Sequence, residues 1–143
     1  MPENINPETI QIDTSTTVII PFDKKYSHPF GSSFNPATLT QEDIKTIEDL
    51  FVSSVVNYNN SLGKDEIGCR IDLHKYSYKK QLVAVESKTG EKIVWVNCLC
   101  DFLDSDSWKS EILIIMDGGS CFFNFKINLA NREAYDFEVN GVA

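Results

Sequence analysis

His28, His74 and the thiols of Cys69, Cys98, Cys100 and Cys121 are the side chains best suited to nucleophilic or metal chemistry. A Cys-His enzyme needs one of these thiols beside an imidazole. His28 precedes Pro29 in a loop-like stretch and His74 sits among Lys75, Tyr76 and Lys79, so neither has a partner in sequence. Cys98 and Cys100 lie two apart, which on a strand puts both thiols on one face, where Cys121 could join them in a thiolate cluster. Zinc pairs instead come as C-x2-C in a turn with matching His or Cys partners, a spacing this chain lacks. Four irregularly spaced cysteines are also too few for a disulfide framework. They read as small buried hydrophobes in reduced form.

Other stretches imitate functional motifs. Asp117-Gly118-Gly119 lacks the Lys and the helix that follow a phosphate loop, so it reads as a hairpin turn. Asp101, Asp104 and Asp106 lack the sharp-turn Gly and closing Glu of a calcium loop, and read as a solvated turn. Lys75-Tyr76-Ser77-Tyr78-Lys79-Lys80 interleaves bases with aromatics, as single-strand binders do. In a chain of formal charge −8 it reads instead as a strand edge guarded by lysines. Asn59-Asn60-Ser61 is a glycosylation triplet that matters only on a secretory route. The sequence thus calls for no catalytic set, no metal and no cofactor.

Charge and composition narrow the partners. The net negative charge disfavours nucleic acid and anionic membrane, while leaving a protein partner open. No stretch approaches the ~20 apolar residues of a membrane span. The start, Met1-Pro2-Glu3-Asn4-Ile5-Asn6, has neither a basic region nor an apolar core. A cytoplasmic location is therefore expected from the chain as given, and a secreted one if a leader has been removed. With 143 residues, 42% of them hydrophobic, the chain fits one domain with a core of its own.

The elements follow from periodicity. Residues 1 to 16 are polar and turn-rich and read as an arm. Thr17-Val18-Ile19-Ile20 is a short edge strand or extended segment stopped by Pro21. Phe22 to Pro36 reads as an ordered loop. Thr40 can cap a helix with Asp43 in the reciprocal position. Ile44, Ile47, Leu50, Phe51, Val55 and Tyr58 then recur at spacings of three and four, widened by Val52 and Val56, which predicts a helix from Gln41 to Asn60. Gly63 supplies a left-handed cap. Strands are predicted over Tyr78 to Glu86 and Lys92 to Phe102, joined at Ser87-Lys88-Thr89-Gly90. Ile112-Leu113-Ile114-Ile115-Met116, apolar on both faces, reads as a central strand. Cys121 to Leu129 alternates, and so does the last strand, with Tyr135, Phe137 and Val139 against Ala134, Asp136 and Glu138. Short connections make this a meander. The expected fold is α+β, one long helix on one face of a curled four- to five-stranded antiparallel meander. Residues 1–36 form an arm and loop of the same domain, and residues 37–143 its body.

One helix covers one face of a sheet. The other face is expected to carry Trp95, Leu99, Leu113, Ile115 and Phe122 among Asn97, Asp117, Asn124, Lys126 and Asp136, unless a bulge shifts the alternation. An apolar patch with polar groups around it marks a partner surface or a ligand cleft. Three occupants are open: the arm or the Phe22 to Phe34 loop, a second copy of the chain, or a ligand.

The order of one helix and then an antiparallel meander resembles the cystatin-like and nuclear-transport-factor-like folds. More narrowly, Val94-Trp95-Val96-Asn97-Cys98, Trp108, Asp117 to Phe123, Lys126-Ile127-Asn128-Leu129 and Tyr135 to Ala143 resemble a group of small bacterial proteins. That group supplies no catalytic residues. Cystatins present an N-terminal Gly, a Q-x-V-x-G hairpin and a hairpin Trp to papain-type proteases. Gln81-Leu82-Val83-Ala84-Val85 is similar except that Val85 replaces the final Gly, with Trp108 and Gly31 as the remaining parts. Because Gln81 and Val83 fall inside a predicted strand, that wedge would be misplaced. The nuclear-transport-factor likeness implies acids in a cupped face, with Asp117, Asp136 and Tyr135 as its proton-moving residues.

The leading expectation is a non-enzymatic protein-interaction module that uses the face opposite the helix, around Trp95, Asn97, Leu99, Leu113, Ile115, Asp117, Phe122, Asn124 and Asp136. Its partner is another protein or a second copy. A small-ligand or enzymatic pocket of the nuclear-transport-factor kind is the alternative, and cystatin-type inhibition through Gln81, Val83 and Trp108 the third.

Overall fold

Capping chemistry starts the long helix. In the computed structural model, which describes residues 10–23, 30–31, 33–100, 106–113 and 119–140 (of Ile67 the backbone alone), Thr40 Oγ1 accepts from the Asp43 NH at 3.1 Å. Asp43 Oδ2 accepts in return from the Thr40 NH at 2.9 Å. Helix α1 spans Gln41–Asn60, the predicted limits, and buries Ile44, Ile47, Phe51 and Val55. Val52 and Val56 are 56% and 47% exposed, so the stripe is narrower than expected. The predicted left-handed glycine cap is also absent. Ser61 ends the helix in right-handed conformation, and Gly63, with no positive φ, donates its NH to Glu66 Oε1 at 2.9 Å. A 3-10 turn over Lys64–Cys69 follows.

Strands β1 (Thr17–Ile19) and β2 (Asn35–Pro36) precede the helix, and β3 (Tyr78–Glu86), β4 (Lys92–Cys100), β5 (Phe122–Asn128) and β6 (Glu133–Val139) follow it. Strands β3 to β6 form the expected antiparallel meander. Gly90, at φ +86°, closes the β3–β4 turn in a conformation that L side chains resist. The whole sheet is open, six-stranded and mixed, in the order β1-β3-β4-β5-β6 with β2 beside β3, and not the curled meander the resemblance implied. Thr17 lies opposite Lys80 in a parallel pair. The cause is topological: α1 carries the chain back across the sheet, so β3 re-enters in the direction of β1. Strands β1 and β2, both before residue 37, thus belong to the one sheet.

Two further expectations are corrected. Strand β4 pairs directly with β5, Trp95 opposite Lys126 and Asn97 opposite Asn124, so no central strand lies between them. Of the predicted strand, Ile112 and Leu113 are irregular and Ile114 to Met116 lie outside the described residues. The cysteines are not all reduced: Cys100 and Cys121 form a disulfide, with Cα atoms 5.0 Å apart. Register explains it, since one step beyond the Leu99–Phe122 pair sets Cys100 opposite Cys121. Cys69 and Cys98 remain free thiols.

The helix lies on the face that alternation assigns. Phe51 stacks on Phe123 at 6.2 Å and packs tilted against Phe125 at 6.1 Å, and Val94, Val96 and Cys98 are fully buried on the same side. Strand β6 departs from simple alternation. A register shift sets Asp136 and Phe137 together opposite Phe125, with Asp136 at φ +55°. This bulge turns the Asp136 carboxylate out to Lys126 at 3.4 Å and gives the helix-side position to Phe137, which stacks on Phe125 at 4.4 Å. Ala134, Phe137 and Val139 therefore share the helix side. Glu133, Tyr135 and Glu138, paired with Asn128, Lys126 and Asn124, take the other.

Candidate functional site

The face opposite the helix is closed by the chain itself. Trp95 and Leu99 are 1% exposed, and Asn97 and Phe122 are also buried. Two segments cover them. Phe22, Phe30 and Phe34 form a ring cluster with centroid spacings of 5.8 and 5.3 Å, and Phe30 packs beneath the Lys126 ammonium. Residues 106–113 run across the rest, tied by two buried amides. Gln81 Nε2 donates to the carbonyls of Trp108 at 2.6 Å and Glu111 at 2.5 Å. Gln81 Oε1 accepts from Asn97 Nδ2 at 2.9 Å and from the Leu113 NH at 3.1 Å. Asn97 Nδ2 also donates to the Leu113 carbonyl at 2.9 Å. These side chains satisfy backbone groups that a ladder would otherwise pair, so Leu113 needs no strand.

Of the predicted face residues, Trp95, Asn97, Leu99 and Phe122 are brought together, but as core. Trp95 Nε1 donates to Asn124 Oδ1 at 3.0 Å. Leu113 and Asn124 are half-buried, Asp136 is exposed, and Ile115 and Asp117 lie outside the described residues. Gln81 and Val83 are wholly buried within β3, and Trp108 is buried beneath the Lys79 ammonium, 4.9 Å from its ring centre. None of the three stands out from the surface as an inhibitory wedge must.

The chemically active side chains are dispersed. His28 is outside the described residues, and His74 is exposed in a turn where Asp72 Oδ1 accepts its backbone NH. Cys98 is fully buried, and burial pushes its thiol far above the ordinary value, which keeps it protonated and inert. Burial likewise raises Tyr78, whose hydroxyl donates to the Ser120 carbonyl at 2.6 Å beside the disulfide. Asp101 and Asp104 fall outside the described residues, and Asp106 meets Lys109 at 3.9 Å. Among the described residues no three His, Cys, Asp or Glu side chains converge as metal ligands. The sequon asparagine Asn59 is engaged in the fold: its amide donates to the Ile71 carbonyl and accepts the Ile71 NH.

An accessible concavity lies elsewhere, between the second half of α1 and strand β6. It is a groove of about 520 Å³. Leu50, Ser54 and Tyr58 of the helix and Glu133, Ala134 and Phe137 of β6 line it, with Ser53, Asn57, Ser61 and Arg132 also on its wall. Tyr58 stacks on Phe137 at 5.0 Å, and burial raises its hydroxyl pKa, reinforced by Cys69 and Glu66. Arg132 Nη1 donates to Thr46 Oγ1 at 3.4 Å, which holds the guanidinium over the helix. Among the described residues no strand pairs beyond β6, so its outer backbone groups border the groove unpaired. Reading the sequence for an uncovered face missed this place. The available signal was that the last strand of a meander keeps one free edge.

Fold and site together define an α+β protein with one helix on a mixed, mostly antiparallel sheet and an open groove at one edge. No family model, no curated protein and no solved structure matches the chain. Among the described residues no helix is long and apolar enough to cross a membrane.

Proposed function

We propose that this chain is a non-enzymatic protein-interaction module that takes an extended segment of a partner protein as an added strand on β6. One observation carries the reading: among the described residues the outer edge of β6 runs unpaired along a groove whose opposite wall is α1. Strand addition of this kind draws affinity from main-chain hydrogen bonds and specificity from side-chain pockets beside the edge. The face first expected to bind is filled by residues 106–113 and the Phe30 cluster, so binding moves to the edge. Pairing between two copies through β6 is disfavoured, because it would set Glu133, Asp136 and Glu138 of each against the other's. A cystatin-like fold is the finer reading that accompanies this role, supported by the helix across a four-stranded meander. The Cys100–Cys121 bond favours the secreted over the cytoplasmic location.

The test is selection of displayed random nonapeptides on the wild-type protein, followed by binding to two variants. Asn57→Trp fills the groove from an exposed helix position, while Val52→Trp adds the same bulk to the outer face of α1. Selected peptides are expected to bind wild type and Val52→Trp alike, to lose affinity for Asn57→Trp, and to shift the amide resonances of β6. Failure to enrich any peptide, or binding indifferent to Asn57→Trp, would overturn the proposal.

A further inference from the structure

The two sides of β6 differ in charge, and this assigns a sequence pattern to the segment it receives. We infer that the partner strand alternates apolar and basic residues, its apolar side chains toward the helix and its basic ones toward the opposite side. The inference rests on strand addition at β6 and specifies its occupant.

Successive side chains of any strand laid beside β6 point to opposite faces. On the helix side they meet the groove, with Leu50, Tyr58, Ala134 and Phe137 as its apolar lining. No acid of α1 lies among the residues of that wall; at one end Glu133, the first residue of β6, borders the groove next to Arg132, whose guanidinium Thr46 holds over the helix. Beyond that end, a basic side chain on this side would meet Leu50, Tyr58, Ala134 and Phe137 with no carboxylate to pair it. An apolar one of moderate size fills the space. On the other side the row is Glu133, Tyr135 and Glu138, with Asp136 swung out by the bulge. Asp136 shares its charge with Lys126 at 3.4 Å, a loose pair that leaves the carboxylate more than half exposed. Glu91, which accepts from Asn128 Nδ2 at 3.1 Å, extends the negative row toward the β3–β4 turn. Cross-strand neighbours of opposite charge stabilise a pair and like charges oppose it, so this row selects lysine or arginine at every second position. The formal charge of −8 adds long-range attraction for the same guest.

Three seven-residue peptides with blocked ends provide the test: alternating Val and Lys, alternating Val and Glu, and a block isomer of the Val–Lys peptide with its lysines contiguous. Affinities are measured by fluorescence anisotropy on wild type and on the Glu133→Lys/Glu138→Lys double variant. Two or three exposed ion pairs predict about tenfold preference for alternating Val–Lys over each of the other two. The preference should shrink at 0.5 M salt and reverse toward Val–Glu in the double variant. Equal affinity for all three peptides, with each lost in Asn57→Trp, would overturn the alternation rule and leave strand addition standing. Preference for Val–Glu on wild type would overturn the charge assignment alone. If no peptide binds, and the library selection yields no strand either, both readings fall together.

Discussion

Replacing Gln81 with Leu should cost about 3 kcal/mol of stability, and the figure follows from what its amide holds. Gln81 is fully buried and makes four hydrogen bonds, to the Trp108 and Glu111 carbonyls, the Leu113 NH and the Asn97 amide. Leucine keeps the volume and removes all four. Leaving buried polar groups without partners costs roughly 1–3 kcal/mol each, and since two of the four bonds are only partly buried, water recovers some of it, for a gross loss of about 5 kcal/mol. Burying an isobutyl group in place of an amide returns about 2 kcal/mol. With a urea m-value near 2 kcal/mol/M, the midpoint should fall by about 1.5 M. Tryptophan fluorescence follows the transition, since Trp95 lies under the cover and Trp108 within it. Amide exchange should accelerate selectively over residues 106–113. Asn97→Leu belongs to the same network, so the double variant should cost clearly less than the sum of the singles, with a coupling above about 1 kcal/mol. A midpoint shift below about 0.3 M, or strict additivity, would refute the assignment of these amides as the anchor of the cover.

Other expectations concern the helix and the disulfide. Burial alone would raise the Asp43 carboxyl, but the Lys92 ammonium at 2.8 Å and the Thr40 NH outweigh it and hold it below the usual carboxylate range. A group lowered on folding stabilises above its unfolded value of about pH 4, and that stabilisation is lost as pH falls through its lowered folded value. Asp43→Asn should therefore be less stable at pH 7 by about 0.5–1 kcal/mol after solvent screening, with the two melting curves converging below pH 3; parallel curves would contradict it. Cys100→Ser/Cys121→Ser opens a link spanning 21 positions and should cost about 3 kcal/mol in urea unfolding. Thiol titration should find two reactive groups in the unfolded, unreduced wild type, Cys69 and Cys98. Val52→Lys and Val56→Lys should change stability by no more than about 0.5 kcal/mol, because both side chains already face water. A loss of 2 kcal/mol at either would restore them to the packed stripe.

What could be read in the sequence was local. The α1 limits follow from the Thr40–Asp43 box and the Ile44-Ile47-Phe51-Val55 spacing, and β3 and β4 follow from alternation around a glycine turn. What could not be read depends on distant pairing. The parallel β1–β3 contact becomes visible only once α1 is known to return the chain across the sheet. Cys100 meets Cys121 only through the β4–β5 register. The Ile112-Leu113 run is apolar on both faces, as a central strand would be, but so is any segment pressed onto a core. The residues that decide between the two were present: Gln81 and Asn97 are amides at inward positions of adjacent strands, directly opposite one another. Two opposed buried amides imply backbone to satisfy, and hence a covering loop.

The same reasoning underlies the strand addition we propose. A sheet with a helix on one face and its own loops on the other has only its edges left to offer. The two edges here are unequal. Strand β1 is three residues long and follows a turn closed by Asp13, whereas β6 is seven residues long and borders the groove. The bulge at Asp136 and the acids beside it discourage two identical edges from pairing, since each meets its own charge. They do not discourage a guest of opposite charge. In the strand addition we propose, the device that opposes pairing of copies is also the one that defines which foreign strand is admitted, so both preferences would arise from the same carboxylates.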